Sequence, residues 1–157
     1  MKNLKKLVAL MCLTIVFSCS NSTDEDLGLT GEGSLMAKID GSDFASLKVA
    51  VSAVVSNGVL AVQGSNAAGE YIRINIANYN GVGVYKTGNA LSNTNSISYG
   101  TIDPVATWMS TFNIGSGTIE ITEETSTSVV GTFSFEGVNT GTTNKTVTAG
   151  EFNAPKQ

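Results

Sequence analysis

The chain has 157 residues with 13 acidic and 9 basic side chains, 2 Cys, 17 Gly and no His. That length allows one modest domain plus a leader or tether, and the missing His rules out Ser-His-Asp hydrolysis, Cys-His chemistry and His-based zinc sites built from this chain alone. A net charge of −4 and a pI of 4.7 argue against nucleic acid as a partner, because its phosphates are met by clustered Lys and Arg.

Residues 1–18 read as a basic stretch followed by an apolar run from Leu7 to Phe17. At about eleven residues the run has the length of a signal peptide and falls short of the roughly 20 needed to span a bilayer as a helix. It ends in Val16-Phe17-Ser18-Cys19, which resembles the lipobox of bacterial lipoproteins. The expectation is a lipoprotein signal peptide over 1–18 and a lipid anchor on Cys19, since acyl chains there hold a soluble domain to a membrane at about 0.8 kcal/mol per buried CH₂. The competing readings are an ordinary secretory signal and an uncleaved anchor. Cys12 goes with the leader, so the remainder has no thiol for a disulfide or a metal site. Without the leader the charge sharpens to six basic against thirteen acidic groups, a net of −7.

Residues 19–33 are polar and Gly-rich and read as a flexible acidic tether. The cluster Asp24, Glu25 and Asp26 resembles the surface-export signal of Bacteroidota lipoproteins; a plain solvated linker explains it equally well. Ser20 after the Cys, in place of a retaining Asp, points to the outer membrane, with exposure at the cell surface left open.

Residues 34–157 read as a single all-β domain. Apolar residues alternate in Leu35–Ile39, Tyr71–Ile76, Thr118–Thr122 and Thr132–Glu136, so each segment is a strand with one dry and one wet face. In Tyr71–Ile76 the three Ile point together, while Tyr71, Arg73 and Asn75 point away. Asp40-Gly41 and Asn57-Gly58 are tight hairpin turns, the second joining a strand over Lys48–Val55 to one over Val59–Gln63. Further strands are expected near Phe44, Gly83–Thr87, Ser96–Ile102, Ala106–Asn113, Val129–Glu136 and Lys145–Phe152. The expectation is an antiparallel β-sandwich of about nine or ten short strands, with a small up-and-down β-barrel as the alternative. The expected core is Leu35, Ala37, Ile39, Phe44, Val62, Ile72, Ile74, Ile76, Ile119, Ile121, Phe133, Phe135 and Phe152.

Several of these stretches, Met36–Gly41 with Phe44, Gly83-Val84-Tyr85, Gly117–Thr122, Gly131–Phe135 and Gly150–Asn153, resemble an uncharacterised family of small Bacteroidota lipoproteins. The resemblance spans 34–153 and implies a secreted β domain of unknown function; its motifs are strand-turn patterns and carry no catalytic residue.

The G-x-G pairs lack the third Gly and following helix of a phosphate loop. Asp40, Asp43, Glu70, Asp103, Glu120, Glu123 and Glu124 are the carboxylates from which a glycan hydrolase would draw, the least favoured reading. Asp40–Asp43 does not fit a calcium loop. No catalytic residue, metal or cofactor is expected. Tyr79, Tyr85, Tyr99 and Trp108, in or beside Asn- and Gly-rich loops, are the candidate ligand-binding residues, against the alternative that Tyr85 and Trp108 are core or sheet-edge residues. The reading is a non-catalytic outer-membrane lipoprotein, held to the membrane by acyl chains on Cys19 and acting as a binding or structural accessory for an envelope glycan or protein. A barrel-type carrier of a small apolar ligand is the alternative.

Overall fold

The computed structural model of the chain describes residues 31–157; Cys19, the cluster Asp24, Glu25 and Asp26, the leader over 1–18 and most of the tether lie outside them. The alternating pattern becomes eleven strands: β1 (Ser34–Ile39), β2 (Ser42–Ala45), β3 (Ser52–Ser56), β4 (Val59–Ser65), β5 (Tyr71–Ala77), β6 (Gly83–Thr87), β7 (Ser96–Ile102), β8 (Val105–Thr111), β9 (Ser116–Glu124), β10 (Ser128–Gly137) and β11 (Lys145–Pro155). Six form an antiparallel sheet in the order β2-β1-β11-β10-β9-β6, and five form a second in the order β3-β4-β5-β7-β8. Packed face to face, they make the expected β-sandwich, with one or two strands more than the pattern suggested.

The barrel alternative does not hold. Closure needs a continuous ladder around the rim, whereas among the described residues the sheets are joined at their edges by single bridges, Met109 with Val138 on one side and Ala53 with Lys156 on the other. The seams are pinned there by short backbone bonds, Val138 N to the Met109 carbonyl at 2.9 Å and Gln157 N to the Ala53 carbonyl at 3.0 Å.

Between the sheets lies one core, and all thirteen expected core residues are in it. Burial follows from the period of two: on β5, Ile72, Ile74 and Ile76 are fully enclosed while Arg73 and Asn75 are exposed. Fully burying such a side chain contributes about 1.5–3 kcal/mol, so the inner faces carry most of the stability. Thr87 and Ser110 are polar exceptions, and their hydroxyls satisfy each other across the sandwich at 2.6 Å.

One strand is shorter than expected. Lys48–Val55 begins as a short 3-10 turn over Lys48–Ala50, closed by a 2.9 Å bond from Ala50 N to the Leu47 carbonyl, and becomes extended only from Ser52. The chain is crossing from one sheet to the other, and the turn re-aims it so that Val51 and Ala53 enter the core. Both hairpin dipeptides behave as read: Asn57 and Gly58 take φ of 50° and 73°, as do Asp40 and Gly41 at 49° and 87°.

Candidate functional site

The four aromatic candidates occupy two ends of the sandwich and serve its architecture. Tyr99 and Trp108, on the paired strands β7 and β8, are 4% and 7% exposed, which corrects the expectation that Tyr99 faces solvent and agrees with the alternative that Trp108 is a core residue. Their rings stack with centroids 5.7 Å apart, and Phe44 meets Tyr99 edge-on at 6.3 Å. The polar tips reach the rim: Tyr99 Oη donates to Glu70 Oε1 at 2.6 Å and Trp108 Nε1 to the Thr143 carbonyl at 2.8 Å. Alternation places these rings inside, because Tyr99 shares the face of Ile97.

Tyr79 and Tyr85 are half-buried, packed against the core with ring centroids 5.8 Å apart. Tyr79 Oη donates to Glu124 Oε2 at 2.8 Å, and Lys156 Nζ reaches Glu124 Oε1 at 2.7 Å. Tyr85 Oη donates to the Gly81 carbonyl and accepts from Asn80 N, closing the β5–β6 loop over itself. Burial, then the bond to its carboxylate, pushes the hydroxyl pKa up at both Tyr79 and Tyr99. The bonds from Lys156 and Tyr79 hold Glu124 below its ordinary value. These groups clamp loops.

The carboxylates are also largely engaged. Lys145 Nζ and Thr146 N bond Asp40 at 2.8 Å each and lower its pKa, Lys38 bonds Asp43, and Glu70 also accepts from Asn66 Nδ2 at 2.6 Å. Glu120 is exposed on the outer face of β9, opposite Thr132. Among the described residues no three His, Cys, Asp or Glu gather as a metal site would require.

The two outer sheet faces differ sharply. The six-stranded face is a lattice of hydroxyls and carboxylates: the register aligns Val84, Glu120, Thr132, Glu151 and Met36 in one row across five strands. Its shallow hollows are the larger ones, about 440 Å³ beside Lys86, Thr118 and Ser134, and about 340 Å³ over Glu120, Thr132 and Glu151. Lys86 there donates to Thr118 Oγ1 at 2.7 Å.

On the five-stranded sheet the strands carry a single charged residue, Arg73, and it sits on the central strand. It is the one Arg in the chain. Its guanidinium lies over the Tyr71 ring with Cζ 4.7 Å from the centroid, an attractive cation–π arrangement. Tyr71 is itself immobilised. It lies against its cross-strand partner Gly100, where a Cβ would run into the phenol ring, and its hydroxyl bonds Thr107 Oγ1 at 3.0 Å. Among the described residues no carboxylate lies within ion-pair distance of Arg73, whereas Lys38, Lys145 and Lys156 all have one. Gln63 and Ser98 flank Arg73 as its neighbours across the ladder, with Asn75 two residues on. A hollow of about 170 Å³ opens between Arg73, Gln63, Asn75, Ala61 and Val54.

Arg73 was not among the residues singled out from the sequence for binding. The signal was present: the only Arg, on the wet face of an Ile-alternating strand, two residues from a Tyr, with no acidic residue on the strands that pair around it.

Residues 31–154 match the family described as Domain of unknown function (DUF6252). No curated protein and no solved structure matches the chain.

Proposed function

The chain belongs to that family of domains of unknown function, and on that premise we propose that it is a lipid-anchored, non-catalytic binding module of the outer membrane in a Bacteroidota-type envelope. Cys19 carries the acyl chains, the tether spaces the domain from the bilayer, and Asp24, Glu25 and Asp26 direct it to the cell surface. The outer face of the five-stranded sheet engages the partner, an envelope glycan or protein.

The observation that carries the binding half is Arg73: a cation set over the Tyr71 ring, in an acidic protein, with no carboxylate partner among the described residues. Holding a solvent-facing guanidinium in one geometry costs side-chain entropy, and a binding role accounts for its fixed placement. Two open sheets packed on a filled core weigh against a hollow carrier. Engagement of Asp40, Asp43, Glu70 and Glu124 by neighbours weighs against a carboxylate-based hydrolase.

The anchor is tested by Cys19→Ala, which should release the protein from membranes or block its maturation. Unchanged fractionation without lipid label would overturn it. Co-purification of the acylated protein from its own envelope tests the binding half. Arg73→Ala should lose a component that the unaltered protein retains, and an identical set of components would contradict the assignment.

A further inference from the structure

Resting on the reading of this domain as a binding module, we infer that the Arg73 face takes a carboxylate-bearing sugar unit, a hexuronate residue within an acidic polysaccharide. The guanidinium is a planar fork that pairs with a carboxylate through two parallel N–H···O bonds, a geometry no ammonium group reproduces. The attraction to the Tyr71 ring, 4.7 Å from Cζ to its centroid, restrains that fork before any ligand arrives, so less freedom is lost on binding. Tyr71 in turn is set by Gly100 beneath it and Thr107 at its hydroxyl.

The hollow beside the cation has a polar side, with Ser52, Gln63, Asn75 and Gln157, and an apolar side of Val54, Ala61 and Val62. Gln63 offers an amide, Ser98 a hydroxyl, and Asn75 an amide whose Nδ2 makes only a long 3.4 Å bond to Ser96 Oγ. These groups match the hydroxyls of a sugar ring, which present donors and acceptors together. The hollow of about 170 Å³ beside Arg73 has the size of one sugar ring. A heavily sulfated or phosphorylated polymer is met by many clustered cations; the strands of this sheet offer one, which suits a single carboxylate per ring.

The test is calorimetric titration of the full acylated chain in detergent micelles with polygalacturonate, neutral dextran and dextran sulfate. Polygalacturonate should bind, with affinity falling as salt rises, dextran should not, and dextran sulfate should bind at least about tenfold more weakly. Arg73→Ala should weaken polygalacturonate binding by about tenfold or more, and Arg73→Lys should fail to restore it fully, since the charge remains but the fork is lost. Gln63→Ala should weaken it about threefold. All three variants should melt within about a degree of the unaltered protein, because exposed sites contribute little to stability.

No binding of polygalacturonate, equal affinity for dextran sulfate, or indifference to Arg73→Ala would overturn the assignment. If polygalacturonate fails while Arg73→Ala still strips a component from the native envelope, the ligand class is wrong and the binding reading stands. If both fail, the reading of the face as a binding surface falls with it.

Discussion

The outer faces of the two sheets are built from the same alternation and arrive at opposite chemistry. The six-stranded face has the larger hollows, yet its Lys38 and neighbouring Lys145 already bond carboxylates, and Glu120, Glu136 and Glu151 stud its surface. The five-stranded face has a smaller hollow, one charge and no carboxylate on its strands. The lesson is that room alone does not mark a site. An Arg set over an aromatic ring, on strands that carry no carboxylate, lies where the hollow is small.

Neighbouring residues on β5 sharpen this contrast most. Ile74 is fully buried and Arg73 is exposed, one position apart. Ile74→Asp should leave an unpaired charge in the core, cost more than about 4 kcal/mol and prevent folding; a soluble, protease-resistant Ile74→Asp protein would break the assignment of faces. The same holds for Phe133→Asp on the opposing sheet.

A middle-sized effect is expected where the sheets touch. Ser110→Ala leaves the Thr87 hydroxyl buried without its partner and should cost about 1–3 kcal/mol in denaturant unfolding. Thr87→Val in the same chain should recover part of that loss by removing the orphaned group.

Acidity gives a smaller effect with a definite sign. Asp40 and Glu124 bind protons less tightly folded than unfolded, so the stability they contribute is complete above their ordinary values of 3.8 and 4.5 and fades as pH falls through the still lower folded values. Tyr79 and Tyr99 shift upward, so their contribution is present below their ordinary value of 10.0 and fades only as pH rises above it. The melting temperature should therefore be level near neutrality and fall on the acid side. In Lys156→Met the acid decline should be shallower, because Glu124 loses its strongest partner; an unchanged acid limb would remove that ion pair from the account.

At the bottom of the scale, Glu120→Lys on the six-stranded face should change stability by less than about 0.5 kcal/mol. It should leave ligand binding as it was, and a loss of binding as large as that of Arg73→Ala would move the site to the other sheet.

Much of the fold was legible because the code involved is local. Three Ile at alternate positions in β5 and two Phe flanking Ser134 in β10 state which face is dry, and Asn57-Gly58 states where the chain reverses. The break at Lys48–Ala50 was not legible, since Lys48–Val55 alternates acceptably as a strand and only the jump between sheets demands a turn there. Nor was the pairing order: β6 lies beside β9, and β11 lies between β1 and β10, contacts made far along the chain. Tyr99 misled for a related reason. Tyr99 and Trp108 sit in polar stretches, but cross-strand pairing stacks them on each other inside the sandwich. Arg73 showed its direction in the sequence, whereas the absence of a counter-ion and the platform of Tyr71 on Gly100 depend on strands that meet only in the folded chain.

The most direct test of the central claim, that the five-stranded face is the binding surface, is amide chemical-shift mapping of the labelled full chain in micelles during titration with polygalacturonate. The shifts should gather on β4, β5 and β7 around Gln63, Arg73, Asn75 and Ser98 and vanish in Arg73→Ala. Shifts gathered instead around Glu120, Thr132 and Glu151, or spread evenly over both sheets, would contradict it.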